Sequence, residues 1–158
     1  MIKNQKQYEY TQELIQSFES TLSHYNHPED LQENHDLLHQ IQRESLQSHL
    51  DILKAEIVEY EALIDRSDRP SLSLQLSDIQ RLSEIPIKAR IAANLSQKEL
   101  AELAGLTEKK IKDYEKQDYQ TASFLDFLFV LEALNIQVKN GEFLVSIEAL
   151  KKHRNSNY

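Results

Sequence analysis

The 158-residue chain has no cysteine. That excludes disulfides, thiolate metal sites and a cysteine nucleophile, and it is compatible with a cytoplasmic protein. Glycine occurs twice and proline three times, too few turn residues for a sheet-rich fold, so the chain is expected to be mainly α. No stretch approaches the roughly 20 apolar residues of a membrane span, and the opening MIKNQKQYEY lacks the apolar core of an export signal. There is no phosphate-cradling glycine loop, no nucleophile elbow and no convincing pair of acids, so neither an enzyme nor a cofactor is expected. What is present is 40% hydrophobic and 28% charged, the balance of a folded domain rather than a disordered one, and the length allows one domain or two small ones.

The net charge of −8 is unevenly spread. Residues 1–68 hold 5 Lys/Arg against 14 Asp/Glu, a net −9, whereas residues 69–158 hold 13 against 12, a net +1. The split predicts an acidic module at 1–68, a linker at 69–77 and a second domain at 78–158. In the first module Leu14, Phe18, Leu22 and Tyr25 recur at helical spacing from about Lys6 to Tyr25. Asn26-His27-Pro28 breaks that helix, and Pro28 suits the first turn of a long second helix over Glu29–Asp65. On it Leu46, Leu50, Leu53, Ile57, Tyr60 and Ile64 alternate spacings of four and three, a heptad-like seam. The two helices form an antiparallel hairpin with one long member. A helix of about 20 residues cannot cover one of about 37, so the seam packs on the second domain, on a second copy of the chain, or on another protein.

His35 and His39 stand one turn apart, with Asp36 where a zinc-peptidase helix carries Glu. The shorter carboxylate and the want of a third ligand at a known spacing make a surface or seam pair the better reading. Leu72, Leu74 and Leu76 alternate with polar residues in the linker, which suits an extended segment lying in an apolar groove, and Asp78 or Ser77 can cap a short helix after it.

The most informative stretch is SQKELAELAGLTEKKIKDYEK, Ser96 to Lys116. Ser96 with Glu99 has the form of a capping box and starts a helix at Gln97. Gly105 sits where that helix must end in a left-handed turn, Leu106 plugs the turn, and Thr107 is placed to cap a second helix with Ile111 and Tyr114 on its inner face. Two short helices joined in this way make a helix-turn-helix. Pro86 starts a preceding helix with Ile87 and Ile91 inward, and Ser123 can cap a following one with Leu125, Leu128, Leu131 and Leu134 as its buried stripe.

Ala101, Gly105, Ile111 and Tyr114, preceded by Gln97 and followed by Glu115, resemble the Cro/phage-repressor (Xre) type of helix-turn-helix over about Ile87 to Val138. The resemblance implies a five-helix domain, a buried pair between Arg90 and Glu115, and double-stranded DNA as ligand. It implies that Gln97 and Lys98 meet the DNA backbone. It also implies that Thr107, Glu108, Lys109, Lys110, Lys112, Asp113 and Lys116 lie on or beside the helix that enters the major groove. Lys109 or Lys110 would read guanine, and Glu108 would accept from cytosine. Proteins of this type with an additional helical module resemble repressors or antitoxins, in which that module dimerises or binds a toxin. A transcription regulator acting as a homodimer is therefore expected, with a cognate toxin as a further partner. The competing reading is a protein-interaction module in which the helix-turn-helix is a scaffold and the acidic arm binds a partner. Finally, Ile136–Lys139 and Glu142–Ile147 flank Asn140-Gly141, which predicts a short C-terminal β-hairpin.

Overall fold

The computed structural model describes residues 1–25, 36–65 and 71–142, and every regular element among them is helical. In order these are α1 (Gln5–Tyr25), α2 (Asp36–Ile64), a 3₁₀ turn (Ile79–Arg81), α3 (Glu84–Ala92), α4 (Gln97–Ala104), α5 (Glu108–Lys116) and α6 (Phe124–Ala133).

Asn4 starts α1: its Oδ1 accepts from Gln7 N at 3.0 Å, and Gln7 Oε1 accepts from Lys3 N at 2.8 Å, so two amides with no intrahelical partner are satisfied. α1 and α2 run antiparallel. Tyr8 stacks on Tyr60 at 5.2 Å and donates its hydroxyl to Glu61 at 2.6 Å, while further along α1 Glu19 pairs with Lys54 at 2.6 Å. Leu22 and Leu50 are buried near the far end of the pair. The helix break expected at Asn26-His27-Pro28, the start of the long helix before Asp36, and His35 lie outside the described residues. His39 is half-buried on α2.

One apolar core joins the helical pair to the rest of the molecule. Ile2, Tyr60 and Leu63 from the N-terminal part pack with Ile87, Ile91, Leu100, Ala101, Ile111, Tyr119 and Val130. Leu72 of the extended segment packs against the same cluster. At its edge Lys88 pairs with Glu59 of α2 at 2.7 Å and with Glu84 at 2.9 Å. The seam residues of α2 are turned into this chain: Leu50 and Tyr60 are buried, Ile57 packs on the core, and Leu46 and Leu53 are half-buried. Near the C-terminal end of α2 it is Leu63, not Ile64, that faces inward.

Three expectations are corrected. No strand occurs among the described residues, so the C-terminal hairpin is not found. A type I′ turn needs positive φ at both central positions. The left-handed non-glycine residues among those described are Asn94, Asp118, Tyr119 and Asn135, and Asn140 is not one of them. Ile136 is instead drawn into the end of α6, donating its N–H to Leu131 O at 2.9 Å, and Val138 is exposed. The second arm from Phe143 lies outside the described residues. Next, four α-helices and one 3₁₀ turn, not five helices, fill residues 78–142. Last, α6 buries Val130 and packs Phe127, Ala133 and Leu134 on the core, leaving Leu125 and Leu128 exposed. The helix is apolar nearly all round, so spacing alone cannot set its rotation.

Candidate nucleic-acid interface

The Ser96 capping box is complete. Ser96 Oγ accepts from Glu99 N at 3.1 Å, and Glu99 Oε2 accepts from Ser96 N at 2.8 Å. Those bonds hold the Glu99 carboxyl below its usual range. α4 ends at Gly105 with φ 65° and ψ 27°, and Leu106 N returns to Ala101 O at 2.9 Å. A Cβ at Gly105 would meet nothing within 4 Å. The glycine is therefore required for its backbone angles and not for space. Thr107 Oγ1 then accepts from Lys110 N at 3.3 Å and starts α5. Ala101 and Ile111 are buried where the two helices meet, and Tyr114 is half-buried beside them.

Beneath this pair lies an ionic lock. Arg90 of α3 donates Nε and Nη2 to the two Glu115 oxygens at 2.5 and 2.8 Å, with Arg90 5% and Glu115 1% exposed. Gln97 Nε2 adds a bond to Glu115 Oε2 at 2.8 Å. The remaining guanidinium donors reach Leu95 O at 2.8 Å and Lys3 O at 2.7 Å. Lys3 Nζ in turn donates to Glu115 O at 2.6 Å and pairs with Asp118 at 2.7 Å, a cation at the carbonyl end of α5. Every charge in the lock thus meets several partners, the condition under which burying an ion pair is tolerable.

The outer face of α5 is polar and solvent-facing. Thr107, Lys109, Lys110, Lys112, Asp113 and Lys116 are exposed and Glu108 is half-buried. Not all of these charges are free. Lys112 pairs with Glu108 at 2.6 Å, which holds the Glu108 carboxyl low. Lys110 pairs with Asp126 of α6 at 3.0 Å, and Tyr114 donates its hydroxyl to the same carboxylate at 2.6 Å. The Tyr114 bond first, and Lys110 second, depress Asp126. Lys98 approaches Glu102 only to 4.0 Å. Among the described residues Lys109 and Lys116 make no ion pair, so the cations of α5 most available to an anionic ligand sit at its two ends.

Sequence reading missed Ile2, Lys3 and Asp126. Ile2 and Lys3 bridge from the chain start to α5 without any local signal. Asp126 was hidden in an apolar run. Gln97, expected at the DNA backbone, spends its amide on Glu115. Among the described residues no group of three His, Asp or Glu could hold a metal, and no helix is long and apolar enough to cross a membrane. A match to the helix-turn-helix family covers residues 87–139, about a third of the chain and all of α4 and α5. No curated protein and no solved structure matches the chain.

Proposed function

Residues 87–139 are a helix-turn-helix domain of the Cro/phage-repressor type, and from that premise we propose that the protein is a cytoplasmic, sequence-specific regulator of transcription that acts by binding rather than by catalysis. The observation that carries this reading is the construction of α5. It is locked from beneath by Arg90 and Glu115, capped by Thr107, and polar along its whole outer face. A rigid helix of this kind fits the major groove with its first turn nearest the bases. Lys109, exposed in that turn, is the residue assigned to reading guanine; Glu108 accepts from cytosine N4, and Asp113 lies one turn on from Lys109. Lys98, Lys112 and Lys116 supply phosphate contacts, and the protein works as a homodimer on a two-fold site. Because 69–158 carries a net +1 while 1–68 carries −9, the acidic arm stands apart from the reading face in charge as well as in sequence. Selection from random duplexes with the full chain should enrich a two-fold symmetric sequence whose binding weakens steeply with salt. Enrichment of nothing would reject the proposal.

A second reading, a protein-interaction module with the acidic arm as its binding element, draws on the exposed Leu37, Leu38, Ile41 and Ile52 of α2. In an antitoxin both readings hold together, and a toxin would occupy that arm. Loss of DNA binding with retained capture of a defined partner would favour the second reading alone.

A further inference from the structure

α5 is nine residues long, too short to hold itself as a helix, so both of its ends need support from outside. Thr107 supports the first end, and Lys3 supports the last. Lys3 Nζ donates to Glu115 O at 2.6 Å, a carbonyl in the final turn of the helix, and pairs with Asp118 at 2.7 Å. Beyond α5 the chain turns through Asp118 and Tyr119 at φ 48° and 55°, two consecutive left-handed residues of which neither is glycine. Such a turn persists only where its surroundings hold it. Tyr119 is held by burial. Asp118, its side chain 47% exposed, is held by the ammonium of Lys3, which is itself only 13% exposed.

We infer that Lys3 is a positioning residue for α5, and that through it the seating of α1 sets where the reading helix stands. Ile2, Lys3 and Asn4 are consecutive, and each is fastened to a different part of the molecule. Ile2 is buried in the shared core. Lys3 holds the end of α5 and accepts from Arg90 Nη2 through its own carbonyl at 2.7 Å. Asn4 starts α1. One residue spans at most about 3.6 Å, so the first turn of α1 cannot slide or tilt without moving Lys3. One turn further on, Tyr8 ties α1 to α2 by its stack on Tyr60 and its bond to Glu61. A displacement of α1 from α2 therefore reaches Glu115 O and Asp118, through the main chain and not through the groove-facing side chains. Lys116 lies between those two points and moves with them. Lys3 is too covered and too closely paired to serve as a phosphate contact itself. The consequence for DNA rests on the reading proposed above; the hold of Lys3 on α5 does not.

The test is amide hydrogen exchange of the full chain without DNA, in the parent, Lys3→Met and Lys3→Arg. The amides to follow are those of Gln117, Asp118 and Tyr119, which bond back to the last turn of α5, with Leu100 of α4 as the reference. Lys3→Met should speed exchange about tenfold at the first three and leave Leu100 as in the parent, and Lys3→Arg should restore the parent rates. Unchanged rates in Lys3→Met overturn the inference. So does an equal rise at Leu100, which would mark general loosening. Tyr8→Ala should speed the same three amides in the parent and add nothing in Lys3→Met; additive rises overturn the coupling to α1. If Lys3→Met fails to fold, Lys3→Gln supplies the second readout, since it keeps an N–H donor without the charge. A smaller rise at the same amides is expected there, and no rise overturns the inference. On a selected duplex Lys3→Met should weaken binding with the salt slope unchanged. A slope lower by about one would make Lys3 a phosphate contact and overturn the positioning role. Exchange that responds as expected in a chain that binds no duplex would reject the DNA reading and leave the hold of Lys3 on α5 intact.

Discussion

Removing Arg90 should do more damage than removing any other single side chain on α3. Arg90→Met keeps the aliphatic stem but strips four hydrogen bonds: two to Glu115, one to Leu95 O and one to Lys3 O. Glu115, 1% exposed, would keep only the Gln97 amide for its carboxylate oxygens. Breaking a buried pair from one side costs about 3–5 kcal/mol, because the surviving charge is left without compensation. At about 2–4 °C per kcal/mol for a chain of this size, the melting temperature should fall by about 6–20 °C. Set against a total stability of about 5–15 kcal/mol, that is a large share. The assay is thermal melting by circular dichroism, with Glu115→Leu added to Arg90→Met as the control. The double variant should recover much of the loss, since an apolar pair leaves no stranded charge. A drop below about 1 kcal/mol for Arg90→Met, or a double variant worse than the sum of its parts, would refute the lock as described.

Other consequences follow from the same geometry. Gly105→Ala should cost about 1–2 kcal/mol and Gly105→Val more, because the penalty comes from φ 65° and not from contact; equal melting of Gly105→Val and parent would contradict this. Tyr119 Oη is buried without a hydrogen-bond partner among the described residues, and burial pushes the phenol well above its ordinary value of 10.0. Since the unfolded phenol ionises first, stability should fall as pH rises above 10, and Tyr119→Phe should flatten that fall and melt no lower than the parent at neutral pH. Glu84 is held down to about 2 from 4.5, first by its bond from Arg81. Its contribution is present above pH 4.5 and lost as pH falls towards 2, and Glu84→Gln should show a shallower acid decline over that window in melts taken at stepped pH.

Much of the reading domain was legible because its constraints are local. Ser96 with Glu99, Gly105, Thr107 and Ile111 lie within sixteen residues, and each occupies a position that only a few residue types fill. The left-handed helix ends were legible only in part. With two glycines in the chain, Asn94, Asp118 and Asn135 take φ 52°, 48° and 50°, as Asn and Asp tolerate, whereas Tyr119 at 55° carries no comparable sequence mark. The docking of Ile2 and Lys3 was not legible at all, since it joins residues 87 and 112 positions apart and no periodic pattern records such a contact. α6 misled because apolar residues surround it, so only the bonds of Asp126 to Lys110 and Tyr114 disclose its rotation. Asn140-Gly141 misled in the other direction: a favourable turn dipeptide does not by itself make a hairpin, and Val138, two residues before it, stays exposed.

The central claim is that α5 reads sequence from its outer face, and the most direct measurement compares Lys109→Ala with Lys116→Ala on a selected duplex. Each would be titrated at several salt concentrations against the site and its single-base variants. Lys109→Ala should relax preference at one base position and cost about 1–3 kcal/mol there. Lys116→Ala should weaken all the duplexes alike and lower the salt slope by about one. Two variants that bind every duplex as the parent does would contradict the claim.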